Sequence, residues 1–564
     1  MIHMQRSFAR KRGERAPLGQ RRAGIALLGL LSSAALLLAA CGGSSGSGNS
    51  GSASGTKQGG TLTVALASNP DGLDPGVIGT HVAEEVTNQM YAELVSQSPS
   101  GTYVPWLATS WSSNANASVW TLNLKHGVKF QDGTPFNAAA VCFNFERALS
   151  PTLQSKGAGI LLAPMKSCTT SGDYKVTVTF SQGYEPFLNA LTTPLLGMAS
   201  PTAVKKQGSN FNVDPVDGGS GPFEFVKWVQ NDQIQLKRWS GYDSPPAGTS
   251  HSGAAYLSGI TFDIVPETSV RMGSVSSNQY DAAEDMLPST YTSMKQNSAL
   301  RTYVVNEAAA TYQLAFNTAK APWNNTQLRQ AVRDAIDVPS MLGSIYFGIE
   351  HQAWSTIAPN VQYYDSSLAN SWKFDQAESN QLLQQLGWTT GSGGYRQKQG
   401  TTLTLSLVDV SPDTNSDQEV DTVLQQQLKQ VGIKVTITDM TQAQEEAAVA
   451  QGNYDIVGIT LGLSSPNVLN FLFNSAFVPS PKSFGFDWAQ VDNAQLDQLL
   501  AQGQATTSDS TLTSIYNSIQ QMIAKNVWTI PLYVPAYTFV TQSSVHGIGF
   551  EYAGYPDFYS TWMS

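Results

Sequence analysis

Charge is scarce in this chain: Asp, Glu, Lys and Arg make up 13% of its 564 residues, about half the usual share. Cysteine is scarcer, with Cys41, Cys142 and Cys168 the full set. That excludes a disulfide-dense scaffold and a four-thiolate metal cluster. Beyond the N-terminal leader only His81, His126, His251, His351 and His546 remain. None pairs at i, i+3 or i, i+4, so no metal site and no cofactor is expected. Basic residues are few downstream: the first 40 positions hold seven Lys and Arg and one acid, leaving 25 bases against 41 acids, a net −16. Such a body repels phosphate backbones, and nucleic acid is not an expected partner. No membrane-length apolar run follows residue 40. Apolar material is plentiful, at 41% hydrophobic and 10% aromatic residues, which supplies large cores and excludes disorder for most of the chain.

The leader is informative. Arg6, Arg10, Lys11, Arg12, Arg15, Arg21 and Arg22 precede an apolar run, Ala23 to Ala40, ending Leu38-Ala39-Ala40-Cys41. This is the layout of a secretory signal, and it resembles the lipobox of bacterial lipoproteins, with Cys41 the lipidated residue. A retained signal anchor is the alternative, since 18 apolar residues just span a bilayer. Residues 41–60 are mostly Gly and Ser, a flexible tether. Gly42-Gly43-Ser44-Ser45-Gly46 matches the nucleophile-elbow pattern by chance, lacking its flanking strand and helix. Export permits disulfides. Cys142 and Cys168 are the one possible internal pair, worth roughly 3–4 kcal/mol in the chain-entropy model, or two free buried thiols.

The body reads as mixed α/β. Strands are predicted at Thr61–Leu66, Trp120–Lys125, Lys175–Phe180, Phe223–Trp228, Gln233–Arg238 and Ile260–Val265. A helix is predicted from His81 to Ser96 with Val82, Val86, Met90 and Leu94 on one face, and another from Asn137 to Leu149. Later, helices Thr326–Ala335 and Gln376–Leu386 precede a strand–helix–strand unit: Thr402–Val408, Ser416–Val431 and Ile433–Thr438. Helices at Asn493–Gln502 and Thr511–Lys525 and a strand at Pro531–Val540 complete the pattern.

An ordered set of motifs then narrows the class. Gly72-Leu73-Asp74-Pro75, Pro105-Trp106-Leu107-Ala108-Thr109-Ser110-Trp111, and Gly127 through Asp132-Gly133-Thr134-Pro135-Phe136 come first. Gly219-Ser220-Gly221-Pro222-Phe223 with Tyr242 follows, then Phe316-Asn317-Thr318, Arg329-Gln330-Ala331 with Ile336-Asp337, and Gly387-Trp388. From about Gly60 to its end the chain resembles the large extracytoplasmic solute-binding proteins of ABC importers, the dipeptide-, oligopeptide- and nickel-binding group. The resemblance implies a two-lobed, periplasmic-binding-protein-like α/β fold with a hinge and a discontinuous first lobe carrying an inserted subdomain. It divides the chain into signal peptide 1–40, tether 41–60, lobe I 61–90, inserted subdomain 91–215, lobe I 216–300, lobe II 301–525 and a return to lobe I at 526–564.

A cleft between lobes needs aromatic walls and a few fixed polar groups. The resemblance places Trp111, Tyr291, Phe316, Trp354 and Tyr537 near it as aromatic candidates, with Asn317 and Asp285 as polar ones. Most motif residues read as structural; Arg329 is expected to serve as a lobe-stabilising ion-pair partner. One departure stands out. Peptide-binding members carry an aspartate for the peptide amine after "Y-D"; here Tyr454-Asp455 leads into Leu461-Gly462-Leu463-Ser464-Ser465-Pro466-Asn467, without a carboxylate. An uncompensated buried ammonium costs several kcal/mol. Another acid, such as Asp285, must substitute, or Ser464, Ser465 and Asn467 serve a neutral ligand such as a sugar. The expectation is a monomeric, non-enzymatic lipoprotein on the outer face of the cytoplasmic membrane, touching it only through its lipid and delivering oligopeptides or a similar solute to an ABC permease. A secreted two-carboxylate hydrolase and a signal-sensing receptor are the rivals.

Overall fold

Strand Thr61–Leu66 founds the first of the three largest sheets, in a computed structural model that describes residues 57–410 and 417–564. The predicted leader, Cys41 and the tether through residue 56 lie outside the described residues. That strand alternates into the core, with Leu62, Val64 and Leu66 fully buried, each contributing roughly 1.5–3 kcal/mol. It pairs in parallel with both Gly259–Ile264 and Ala282–Glu284. Antiparallel neighbours widen the sheet to seven strands, ending in Leu300–Asn306 at one edge and Phe223–Val229 at the other. This is lobe I. Lobe II is built on a six-stranded sheet, with Tyr312–Phe316 between Thr529–Val534 and Ile456–Ile459, and the parallel pair Thr404–Val410 and Lys434–Met440 beyond. The third sheet has four antiparallel strands, Ala108–Ser113, Val119–Leu124, Lys175–Phe180 and Met165–Thr170.

Two chain crossings join the lobes. Leu300–Asn306 lies in the first sheet and Tyr312–Phe316 in the second; Thr529–Val534 lies in the second and Ala536–Gln542 in the first. The crossings touch, since Glu307 N–H donates to the Pro535 carbonyl at 2.9 Å. The single strand expected at Pro531–Val540 is therefore two strands in different sheets. Every residue of Thr529–Val534 is buried, as is Tyr537–Gln542, so apolarity marks no boundary. Pro535, which has no N–H to give a ladder, stands at the break.

Local chemistry explains most elements. Asn137 caps helix Ala138–Ala148, its side chain accepting from Ala140 N–H. Cys142 on that helix is bonded to Cys168 on strand Met165–Thr170, with 5.4 Å between Cα atoms. Arg147, from the same helix, clamps both oxygens of buried Asp74 at 2.6 Å, a bidentate pair. The helix expected over His81–Ser96 stops at Asn88. Met90's carbonyl accepts from Ser220 and Gly221 N–H instead, at 3.2 and 2.8 Å. A Cβ at Gly221 stands only 2.6 Å from Met90 backbone, so the close approach demands glycine there. Val95–Gln97 then continues as a strand. A tertiary contact has overridden the apolar stripe.

Candidate functional site

The carboxyl ends of the parallel strands Thr61–Leu66 and Ala282–Glu284 open onto the hinge, the usual crevice for ligands in open α/β sheets. Acids crowd this place. Ala67 N–H donates to Glu284 Oε1 at 2.6 Å. Glu85, from the first helix, accepts from the Tyr537 hydroxyl at 3.1 Å and faces Glu284 without a well-formed hydrogen bond at Oε1. Asp285 follows in a left-handed conformation, φ +52°, a strained backbone of the kind that gathers at functional sites. Its side chain shows half its surface to solvent although protein encloses it, which is the signature of a cleft wall. Glu307 comes from one crossing and Glu350 from the residue before lobe II strand His351–Gln352; Ala536 N–H donates to Glu350 Oε1 at 3.3 Å, and Glu350 Oε2 is buried without a partner.

A second group adjoins the first. Glu84 hydrogen-bonds Tyr555, whose ring lies 4.5 Å from His81. Glu93, 1% exposed, leaves Oε1 unpartnered. It faces Glu551, Tyr552 and, from lobe II, Ser464 across a cavity of about 20 Å³, room for about one water. Tyr555 stands between the groups, within the fields of Glu84, Glu307 and Glu551.

Burial and mutual repulsion favour the protonated form of these carboxyls. Burial pushes Glu84 up to about 8, and Glu85 up to about 7. Burial and the charge of Asp285 push Glu307 up to about 7; burial and Asp557 push Glu551 up to about 8. Glu93, Glu284 and Glu350 are raised by the same desolvation. His81 goes the other way, down to about 4, because burial disfavours its cation. Among the described residues one cation forms an ion pair with these acids: Arg271, 3.7 Å from Asp285. It also donates to the carbonyls of Val265 and Pro266 at 2.8 Å. No group of three or more His, Cys, Asp or Glu among the described residues is arranged to hold a metal ion.

The predicted site residues scatter. Asp285 and Tyr537 join the hinge group, and Ser464 faces the second group. Tyr291 packs against both lobes' cores and its hydroxyl accepts from Lys295. Phe316 stacks on Trp323 inside lobe II. Asn317 donates to the carbonyls of Gly452 and Tyr454 at 3.3 Å. Its strand runs away from the hinge, so its end does not face the cleft as expected. Trp354 meets Trp372 edge-on in a separate lobe II cavity of about 350 Å³. Trp111 lies on the four-stranded sheet, packed against that sheet's core. Ser465 Oγ accepts from Asn467 N–H, and Asn467 Oδ1 from Gln504, so both are engaged within the protein. Arg329 forms no ion pair; four acceptors satisfy it, including the carbonyls of Trp323, Asn526 and Val527.

The lobes meet in a closed state. Asn189 donates to Ser464 Oγ at 3.2 Å, Glu185 N–H to the Gln504 carbonyl at 2.8 Å, and Gln362 to the Gly101 carbonyl at 3.0 Å. Two lobes, two adjacent crossings and a lined cleft between them define a hinge-closing binding protein. The chain belongs to the bacterial extracellular solute-binding proteins, family 5, whose model matches residues 102–483. It is 28% identical over 481 residues to the glutathione-binding protein GsiB of Shigella flexneri, covering 84% of this chain and 88% of that one. It is similar in fold to NikA from Brucella suis in complex with Fe(III)-EDTA, at TM-score 0.79 and 23% identity, covering 90% of this chain and 100% of that one. The oligopeptide-binding protein AppA from Bacillus subtilis, in complex with a nonapeptide, matches at TM-score 0.72 and 19% identity, over 90% and 100% of the two chains. The protein is thus an extracytoplasmic binding component of ABC import, not an enzyme, and the hydrolase reading falls. No helix among the described residues is long and apolar enough to cross a membrane.

Proposed function

We propose that this chain, anchored by lipid on Cys41 to the outer face of the cytoplasmic membrane, captures an oligopeptide or similar amine-bearing solute between its lobes and hands it to an ABC permease as a monomer. One observation carries the reading: the cleft at the hinge is walled by carboxyls that lack counter-charges. Lobe II offers Ser464 and no carboxylate in the segment Leu461–Asn467, and Glu93 and Glu551 line the same small cavity from lobe I. An ammonium there removes the desolvation penalty of an unpaired acid and its own at once. A neutral sugar leaves those acids unpaired, so this support favours a cation over the neutral alternative. Glutathione, the ligand named for GsiB, carries two carboxylates and one ammonium, and the acidic wall disfavours it.

Native mass spectrometry of residues 57–564, gently purified, followed by a melting-temperature screen of peptides, sugars and glutathione tests this. Bound masses resolving into peptides, and peptide-specific stabilisation, support it. Stabilisation by a sugar or by glutathione alone overturns it.

A further inference from the structure

The acids of the cleft form two groups, and one positive charge cannot serve both. The first gathers at the hinge: Glu85, Glu284, Asp285, Glu307 and Glu350. Arg271 answers one of these, Asp285, and Glu350 Oε2 remains buried without a partner. The second gathers around the loop after Phe550: Glu84, Glu93, Glu551 and Asp557. Among the described residues His251 is the basic group whose field lowers Asp557, and Glu93 Oε1 is buried without a partner. Tyr555 separates the groups, and Tyr537 and His81 complete an aromatic wall beside them, their rings 5.5 Å apart. Aromatic faces beside carboxyls suit ammonium and guanidinium groups. The absence of any compact metal-type grouping among the described residues turns the reading toward an extended organic cation rather than an ion.

We propose that the cleft selects ligands carrying at least two positive charges, of the class of short peptides with a lysine or arginine side chain, one charge to each carboxyl group. This rests on the reading of the cleft as the ligand site. A peptide with neutral side chains offers one ammonium and leaves one group unanswered.

The test compares trilysine, trialanine and spermidine on the purified mature protein by calorimetry and melting temperature. Trilysine is expected to bind at least about tenfold tighter than trialanine, a modest gain for one further desolvated charge pair. The advantage is expected to shrink about tenfold in Glu307→Gln with Glu350→Gln, and separately in Glu93→Gln with Glu551→Gln. These amides keep the shape and remove repulsion, so both double variants are expected to melt at or above the parent temperature near pH 8, which shows that they fold. Equal affinity for trialanine and trilysine overturns the inference and leaves the peptide reading standing. Binding of spermidine without either peptide supports the inference and removes the peptide reading. Failure of all three overturns both.

Discussion

The two lobes treat their buried cations and their buried acids differently. In lobe II the buried arginines are fully partnered, whereas Glu350 and Asp487 each keep one buried oxygen without a partner. Arg329 is 2% exposed, and burial pulls its guanidinium down to about 10, yet four acceptors surround it. Arg396 likewise reaches the carbonyls of Trp388 and Val431 and the Asn380 side chain, and Asp455 meets Lys320 at 2.7 Å. In lobe I, Glu85 and Glu93 are buried as deeply, but each leaves Oε1 without a partner and no cation faces either, so burial favours their protonated forms. Folding alone does not favour such acids, since burying a carboxyl without partners costs stability. A charge that the fold has satisfied is structural; one it has left wanting awaits something from outside.

The largest test strikes the satisfied wall. Arg329→Met strands three buried carbonyls, at about 1–3 kcal/mol each if unrelaxed, and a loss of roughly 3–5 kcal/mol is expected. Urea denaturation measures it. A change below about 1 kcal/mol breaks the contrast, because the partners of a buried arginine then count for little. Next in size is the disulfide, which lies in neither wall. Cys142→Ser with Cys168→Ser opens a link between positions 26 apart, and about 3–4 kcal/mol is expected to be lost. Peptide affinity and the shape of the pH profile should not move, since neither cysteine approaches the acids.

The unsatisfied wall makes a pH prediction of its own. The cleft acids titrate near ordinary values when unfolded and at about 7 to 8 when folded, as for Glu84, Glu85, Glu307 and Glu551. The folded state therefore holds more protons between those values, and its stability falls as pH rises from the ordinary carboxylate value to about 8. His81, held down to about 4, opposes this on the acid side: the unfolded chain binds its proton first, so stability drops below the ordinary imidazole value. The ligand-free protein is expected to melt several degrees lower near pH 8.5 than near pH 6. Glu85→Gln should flatten the decline, and saturating cationic ligand should reverse it. A flat profile in the parent removes the distinction between the walls.

Much of this fold was legible. Strands Thr61–Leu66, Lys175–Phe180 and Gln233–Arg238 stand where alternation places them, because each has one face in a core. The hinge strand was misread because both halves of Thr529–Gln542 are buried throughout. The site was harder to read. The resemblance points to Asp285 and Tyr537, which the fold brings to the hinge acids, whereas nothing in the sequence points to Glu93, Glu307, Glu350 and Glu551. Their signal is faint: single acids beside apolar or glycine-rich stretches, such as Ala92-Glu93-Leu94, in a chain with little charge to spare. What groups them is convergence from segments hundreds of residues apart, which no local pattern records. Asn317 misled for the same reason, since a motif shows that a strand ends but not which way it runs from the hinge.

The smallest effect tests whether the walls communicate. Asn189, on helix Phe187–Ala190, reaches across to Ser464 Oγ at 3.2 Å, and a bond of this kind contributes about 0.5–1.5 kcal/mol. It exists only when the lobes are closed, so its loss acts on the closed state alone. Asn189→Ala is expected to leave urea stability within about 0.5 kcal/mol of the parent while weakening ligand binding two- to tenfold, by lowering the closed population. Ser464→Ala should do the same, and the double variant should cost little more than Asn189→Ala alone, because the bond to Ser464 Oγ is already lost with Asn189. Additive losses would mean that Ser464 meets the ligand directly, in which case lobe II offers the ligand a group of its own and the two walls differ in degree rather than in kind.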